Sequence, residues 1–555
     1  MKSPEARFHV HVHIRVRATN ALVGVVLALG LMAAIGYAQT NNILFIVADD
    51  FATDGLRIYN TNPAAHFPPM PTVERLAANG LVFRNAYGYP TCSPSRCSIL
   101  TGRYGFRTGI GYALANPAGP SLSADEFTIP KAMTAAGVMT NDHGMVGKWH
   151  LSFNASDPNT LGGFSSFSGG ILGELKAYDN WPHKVINGVT LGLIHAYTNY
   201  ATTDNLRDAT NWISARGTKP WFLWLAFNAC HEPLHLPPTN LHSYKNLSGT
   251  DTDIAANPRP YYEAMAESLD TTVSNLLSFL GPAVSNTTII FLGDNGTPSK
   301  NIQMPYTTNQ CKGTLYEGGI RVPLIITGPR VANPGRSTDA LVSTVDLYST
   351  ILELAGVNLA ATLPTNMVFD SQSLIPIITN AAFVPPERYL LSENFAFNLP
   401  DTLAGRAVRN RQFKLILLDN GAQEMYDLIA DPYEHNNLLQ GRLDLQQQGG
   451  YVALLSKLYQ WESVPPPVVT NFTLLSNRFA VTASRANDAR CWLWRNDALD
   501  YPVWTVLTNV NVVNLSSTSV RIADTNLLPD GAFYRMTLRA VQSSTNTAIG
   551  WWDPD

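Results

Sequence analysis

The sequence is short of charge. Only 14% of its 555 residues are Asp, Glu, Lys or Arg, against about a quarter in an average soluble domain, and the net charge at neutral pH is −4. It has no basic block and no basic-aromatic stripe, so no nucleic-acid partner is expected. Cysteine is scarce as well. Cys92, Cys97, Cys230, Cys311 and Cys491 exclude a disulfide-built scaffold and permit zero to two bridges. Cys92 and Cys97 lack the second close pair that would complete a zinc site.

Long apolar runs are also rare, and the longest lies at the start. Lys2, Arg7, Arg15 and Arg17 precede the apolar run Ala21 to Ala38, and Gly36-Tyr37-Ala38 supplies small residues for cleavage before Gln39. Residues 1–38 therefore read as an export signal, with a periplasmic or secreted mature chain. Eighteen apolar residues would barely span a bilayer, and a core strand begins at Asn42 without a tether. No stable membrane insertion is expected after cleavage. His9, His11 and His13 alternate like a metal tract, but they would leave with the signal.

What is present is an alternation of strands and helices. Asn42 to Ala48 is a continuous apolar run of buried parallel-strand type, ending at Asp49-Asp50. Adjacent strand residues face opposite ways, so two carboxylates can reach one ion only where the strand stops. Further strands are expected over Leu81 to Tyr87, Pro220 to Phe227, Asn286 to Leu292 and Leu324 to Thr327. Helices are expected over Thr72 to Asn79, Ile129 to Ala136, Thr203 to Arg216, Pro260 to Gly281 and Thr344 to Gly356. The pattern means an α/β fold: a mostly parallel sheet covered by helices on both faces. Polar clusters follow the strands: Lys148-Trp149-His150, Cys230-His231-Glu232, and Asp294-Asn295, an oxygen-donor pair like the first. At period two, Lys148 and His150 share a face, a cation pair suited to an anion. The carboxyl ends of strands are where such sheets bind ligands.

From about Arg388 the strands shorten (Arg406 to Arg409, Gln412 to Leu418, Gln423 to Leu428) and a helix over Gly450 to Glu462 closes a smaller α+β unit. Ser463-Val464-Pro465-Pro466-Pro467 reads as a stiff linker, and the rest as an appended β-sandwich. The expected division is 1–38, 39–387, 388–463 and 468–555. Trp492, Trp494 and Trp504 are read chiefly as core filling in the last part.

The densest chemistry lies in Cys92-Ser93-Pro94-Ser95-Arg96-Cys97-Ser98-Ile99-Leu100-Thr101-Gly102-Arg103. Ser93 is a candidate cap and Pro94 suits the first turn of a helix. Cys92 then sits at the N-terminal end of that helix, where free amides favour negative charge, with the Arg96 guanidinium one turn on. That placement suits a nucleophile handling an oxyanion. Cys97 to Arg103 has the Cys-x5-Arg spacing of tyrosine phosphatases, but Arg96 stands where His is needed and the glycine is misplaced.

Cys-x-Pro-Ser-Arg followed by Leu-Thr-Gly-Arg resembles the signature of the type I, formylglycine-dependent sulfatases of the alkaline phosphatase superfamily. The likeness runs from about Asn42 to Leu438, ending in Tyr426-Asp427-Leu428 with Asp431-Pro432 and Glu434. It implies that a formylglycine-generating enzyme oxidises Cys92, and that the hydrated aldehyde attacks the sulfur of a sulfate monoester. By position, Asp49, Asp50, Asp294 and Asn295 fall on the family's metal ligands, with the altered Cys92 completing the shell. Cys92, Arg96, Lys148, His150, His231 and Lys312 fall on its catalytic positions, with Lys148, His231 and Lys312 touching substrate. Three carboxylates and an amide oxygen suit Ca²⁺, with Mg²⁺ as the alternative. The expected activity is removal of sulfate from a sulfated carbohydrate or aryl sulfate. Candidate sugar contacts are His235, Trp181, His183 and His143. Two rivals are a formylglycine-dependent phosphonate monoester or phosphodiester hydrolase, and a non-catalytic glycan-binding protein if Cys92 stays unmodified.

Overall fold

Ten strands form the main sheet: β1 (Asn42–Ala48), β2 (Gly80–Tyr87), β3 (His143–Gly147), β4 (Ser166–Gly170), β5 (Lys184–Ile186), β6 (Leu193–His195), β7 (Phe222–Ala226), β8 (Thr287–Gly293), β9 (Arg321–Thr327) and β10 (Arg336–Ser343). The computed structural model describes residues 41–462 apart from 118, 182–183, 187–192, 196–197 and 397–398, and beyond 468 the backbone of seven strands. The expected signal, the linker and His183 lie outside the described residues. No described helix is long and apolar enough to cross a membrane.

The strand order is β10-β2-β9-β8-β1-β7-β3-β4-β5-β6. Strands β8, β1, β7, β3 and β4 run parallel to one another, while β9 is antiparallel to both β8 and β2. Two antiparallel steps restore the direction, so β2 points the same way as β8. The segments after β1, β2, β3, β7 and β8 therefore emerge on one edge of the sheet. They carry Asp49-Asp50, Cys92, Lys148-His150, His231 and Asp294-Asn295.

Alternation along β1 builds both faces of the core. Ile43, Phe45 and Val47 pack with Ile99 and Leu100 of the helix Cys92–Thr101, Met133 of Ile129–Ala135, and Leu347 and Ile351 of Asp346–Leu354. Leu44, Ile46 and Ala48 pack on the other side with Val73 and Leu76 of Pro71–Ala78, Ile213 of Ala201–Ser214, and Met265, Leu269 and Val273 of Pro258–Leu280. Each of these large apolar side chains contributes about 1.5–3 kcal/mol through burial. The fold class is the expected one. The sequence reading did not identify β4, β5, β6 or β10.

A second, antiparallel sheet follows: β11 (Leu390–Asn394), β12 (Gly405–Arg409), β13 (Phe413–Leu418) and β14 (Gln423–Asp427), covered by the helix Leu445–Glu462. A buried ionic cluster joins it to the main sheet. Lys414 Nζ on β13 lies 2.7 Å from Glu434 Oε1 and 3.2 Å from Glu317 Oε1 just before β9, and Tyr87 donates to Glu317. Burial, opposed by Lys414 and reinforced by Glu317, lifts the Glu434 carboxyl to about 7. Beyond 468, the strands form a four-stranded and a three-stranded antiparallel sheet, the expected all-β addition.

Candidate active site

Cys92 opens its helix as the first helical residue, after Thr91. Ser93 does not cap that helix, contrary to expectation. Its hydroxyl instead accepts the Leu114 N–H at 3.1 Å, and the Leu114 carbonyl lies 2.9 Å from His150 Nε2. A carbonyl can only accept, so His150 carries its proton on Nε2. Its bare Nδ1 faces Cys92 Sγ at 3.1 Å. Burial, with Lys148 and Arg96 nearby, holds the imidazole well below its usual pKa, so it stays neutral. A neutral imidazole with a free nitrogen beside position 92 is set to take a proton there.

The route to this placement differs from the sequence reading. Strand β3 stops at Gly147, so Lys148 and His150 do not converge by strand alternation. Gly147, at φ 102°, passes so close to β7 that a Cβ would fall 1.8 Å from the Ala226 carbonyl. The chain then turns: Lys148 N–H donates to Ala226 O, Trp149 N–H to Gly170 O, and His150 N–H to Ile171 O. His150 itself has φ 55°, a left-handed conformation held by these bonds. Lys148 Nζ ends 2.5 Å from Asp49 Oδ2, fully buried.

Arg96 is also fully buried, and three of its five N–H groups are already used. Nε and Nη2 reach Asp294 Oδ2 at 3.1 and 2.8 Å, and Nη1 donates to the Lys148 carbonyl at 2.8 Å. It orients the cluster, holding Asp294 and the Lys148 backbone together. Asp50, at φ 57°, donates its N–H to Asp294 Oδ1 and accepts from Asn295 Nδ2 at 2.8 Å. Lys312 Nζ lies 2.6 Å from its Oδ1. Burial would raise the Asp50 carboxyl, but Lys312 and then His231 outweigh it and hold the group well below its usual range. Burial works against the Lys312 charge in turn, yet Asp50 first and Cys92 next hold its proton firmly.

A cation fits this donor set. Ligand oxygens of Asp49, Asp50 and Asp294 all lie within 4.8 Å of one another. Two buried oxygens, Asp49 Oδ1 and Asn295 Oδ1, have no hydrogen-bond partner. Leaving such atoms unpaired costs about 1–3 kcal/mol each, so they mark where a hard ion would bind. Burial, opposed by Lys148 but reinforced by Asp294 and Asp50, raises the proton affinity of Asp49 well above normal. The three carboxylates and the cations Arg96, Lys148 and Lys312 balance without any metal.

His231 lies at the mouth of the site. Its Nδ1 donates to the Glu232 carbonyl at 2.8 Å, leaving Nε2 3.8 Å from Asp50 Oδ2. Burial, opposed by Asp50, lowers its pKa to about 4. A cavity of about 290 Å³ opens here, lined by Asp50, His231, Glu232, Pro298, Ser299, Lys300 and Lys312.

The candidate sugar contacts fare worse. Both nitrogens of His235 are occupied, by the Pro233 carbonyl at 3.0 Å and the Tyr200 hydroxyl at 3.1 Å, and its ring lies on Tyr178. His143 begins β3, at the opposite edge of the sheet, buried between Ser165 N–H and Thr134. Trp181 is buried and donates to Asn199 O. These three are structural residues. The sequence reading missed Gly173, whose absent side chain makes room for the His150 ring. A Cβ there would fall 2.3 Å from His150 Cε1 and 2.5 Å from Nε2. Gly173→Ala should therefore lower kcat by roughly 10²-fold with little change in KM or Tm, measured by turnover and calorimetry.

The family description "Sulfatase" matches residues 41–357, and "N-sulphoglucosamine sulphohydrolase, C-terminal" matches 310–457. Arylsulfatase J of Mus musculus is 30% identical over 330 residues, covering 57% of this chain and 52% of that one, so the match spans about half of that relative. N-acetylgalactosamine-6-sulfatase of Rattus norvegicus is 29% identical over 391 residues, covering 65% and 70%. Among solved structures, Ps i-CgsB in complex with k-i-k-neocarrahexaose shares the fold at a TM-score of 0.60 and 23% identity, over 76% of this chain and 92% of that one.

Proposed function

Since the chain belongs to the sulfatase family, whose relatives named above are sulfuric ester hydrolases, we propose that it hydrolyses sulfate monoesters on carbohydrates. In this reading Cys92 is converted to formylglycine by a generating enzyme, and Asp49, Asp50, Asp294 and Asn295 hold Ca²⁺. Residues 1–38 direct the chain out of the cytoplasm. One observation carries the chemistry: Cys92 Sγ at a helix N-terminus, 3.1 Å from the unprotonated Nδ1 of His150.

When in place, the cation supplies Lewis-acid polarisation of a sulfate oxygen, and formylglycine at position 92 supplies the nucleophilic oxygen. The chain's own residues do the rest. Lys148 and Lys312 attract the sulfate and offset charge as the S–O bond breaks. Arg96 fixes Asp294 and the Lys148 backbone, keeping donors and ligands in register. His150 Nδ1 takes a proton from the group at position 92. His231 enters neutral, and an arriving sulfate anion favours its protonated form, placing a donor beside the leaving oxygen. Lys312, which keeps its proton throughout, is the second donor there.

The carbohydrate assignment draws on the rat relative, named for a sugar sulfate, and on the oligosaccharide bound to the structural neighbour. Its test is sulfate release across defined sulfated mono- and oligosaccharides, with nitrophenyl sulfate alongside. Release from at least one sugar is expected. Turnover confined to the aryl ester would leave a sulfatase without the glycan assignment.

A further inference from the structure

A second cleft, of about 750 Å³, adjoins the mouth of the site. It is lined by Glu174, Leu175, Lys176, Glu232 to Leu234, Asp251, Ile254, Ala255, Pro258 and Lys300. Glu232 and Lys300 line both cavities. Their side chains meet at 3.3 Å with 46% and 67% exposure, so the pair forms a sill that can open and re-pair at little cost.

The near wall is tied to the catalytic residues at both ends. Upstream, Gly170 O and Ile171 O hold Trp149 and His150, and Gly173 backs the His150 ring. Downstream, the Tyr178 hydroxyl reaches the carbonyls of Asn228 and His231 at 2.7 and 2.8 Å. Glu174, Leu175 and Lys176 lie between these anchor points, so the wall is fixed relative to the leaving-oxygen side. The far wall comes from the helix Asp251–Ala256 and the first residue of Pro258–Leu280.

The chemistry changes across the sill. Inside, Lys148 and Lys312 are the cations offered to the sulfate, beside the Asp49, Asp50 and Asp294 carboxylates that would hold the metal. Outside, the cleft offers three carboxylates (Glu174, Glu232, Asp251), two amines (Lys176, Lys300) and apolar patches at Leu175, Leu234 and Ile254. Three carboxylates against two amines leave one net negative charge, which disfavours a second anion. Carboxylates that accept from hydroxyl groups, set among apolar patches that fit ring C–H faces, suit an uncharged saccharide.

We propose that this cleft is a saccharide subsite, and that the enzyme acts on a sulfated sugar unit still attached to uncharged sugar units seated beyond Glu232 and Lys300. This rests on the carbohydrate reading above and adds two demands to it. The volume takes roughly two to three sugar rings, so catalysis improves with chain length. The acidic lining disfavours a second sulfate or carboxylate on the neighbouring units.

The test uses a size series, mono- to tetrasaccharide, of whichever sugar releases sulfate in the panel, carrying sulfate on one end unit only. Wild-type kcat/KM should rise at least about tenfold from mono- to trisaccharide. Ile254→Trp, which fills the cleft from the far wall, should remove the gain without changing nitrophenyl sulfate turnover. Sulfating the neighbouring units should lower kcat/KM several-fold, and Glu174→Gln with Asp251→Asn should relieve that penalty. Asp251→Arg, on the exposed helix, is the alternative should Ile254→Trp fail to fold, and it should make the neighbouring sulfate favourable. Equal kcat/KM across the series, a length gain that survives Ile254→Trp, or a neighbouring-sulfate penalty that Asp251→Arg leaves unchanged would overturn the subsite while leaving the sulfatase reading intact. Absence of turnover on sugars of every length would instead remove the carbohydrate reading, and the subsite with it.

Discussion

Cys92→Ala should lose sulfate-ester turnover by roughly 10⁴–10⁶ while melting within a few degrees of the parent chain. The expected size follows from the geometry. Among the described residues no other nucleophile stands at the free nitrogen of His150, so its loss leaves only positioning and charge. The structural cost is small, because alanine is a good first-turn residue and only one buried sulfur is removed. Cys97→Ala is the matching control. Its thiol is one helical turn further on, and burial pushes it up to about 12, so it is an inert core sulfur. Cys97→Ala should cost about 1 kcal/mol of stability and leave turnover within a few-fold. Mass spectrometry then separates modification from mere presence. The Cys92 peptide of active protein should be lighter by about 18 Da, or unchanged if the hydrate dominates. An alkylatable thiol at Cys92 in fully active protein would remove formylglycine from the reading.

These residues were legible because their chemistry is local. An uninterrupted apolar run such as Asn42–Ala48 fits only a strand buried on both faces, and the Asp pair at its end has one plausible use. The helix carrying Cys92 announces itself through Pro94, a residue that suits a first helical turn. Other parts were hidden for equally physical reasons. Strand β4 is Ser-Phe-Ser-Gly-Gly, without the β-branched residues that mark a strand, and β10 begins Arg-Ser-Thr-Asp at the sheet edge. Lys148 and His150 do face one site, but through a turn forced at Gly147, which period-two counting cannot see. His143, Trp181 and His235 looked like ligand contacts by their place in the chain: in an insertion before Gly144, in the Gly-rich stretch after Gly162, and beyond the His231 turn. In the fold, each one's polar atoms are bound internally. The cleft beyond the sill draws on segments near 175, 233, 254 and 300, which no local pattern could group.

Stripping divalent cations should stop turnover almost completely, and returning Ca²⁺ should restore it and raise Tm. Two oxygens that face the carboxylate cluster, Asp49 Oδ1 and Asn295 Oδ1, are buried without a hydrogen-bond partner. Three buried carboxylates repel one another, and their cationic neighbours are placed at the periphery, on Asp49 Oδ2, Asp294 Oδ2 and Asp50. An ion bound at the orphaned oxygens relieves that repulsion in the folded state only. At about 100 times its Kd, the ion would add about 2.7 kcal/mol to stability. Asp49→Asn is an unsuitable probe by itself, because it also strips Lys148 of its carboxylate and costs about 3–5 kcal/mol. Asn295→Ala is cleaner. It deletes one orphaned oxygen and the bond to Asp50, yet leaves every lysine and arginine with its partner. The variant should fold with an apo stability about 1–2 kcal/mol below that of the parent chain, show a much smaller calcium shift, and need far more calcium for turnover. Full turnover in chelator, with no calcium shift in the parent chain, would mean that these oxygens hold no divalent ion and that Lys148 and Lys312 carry the sulfate alone.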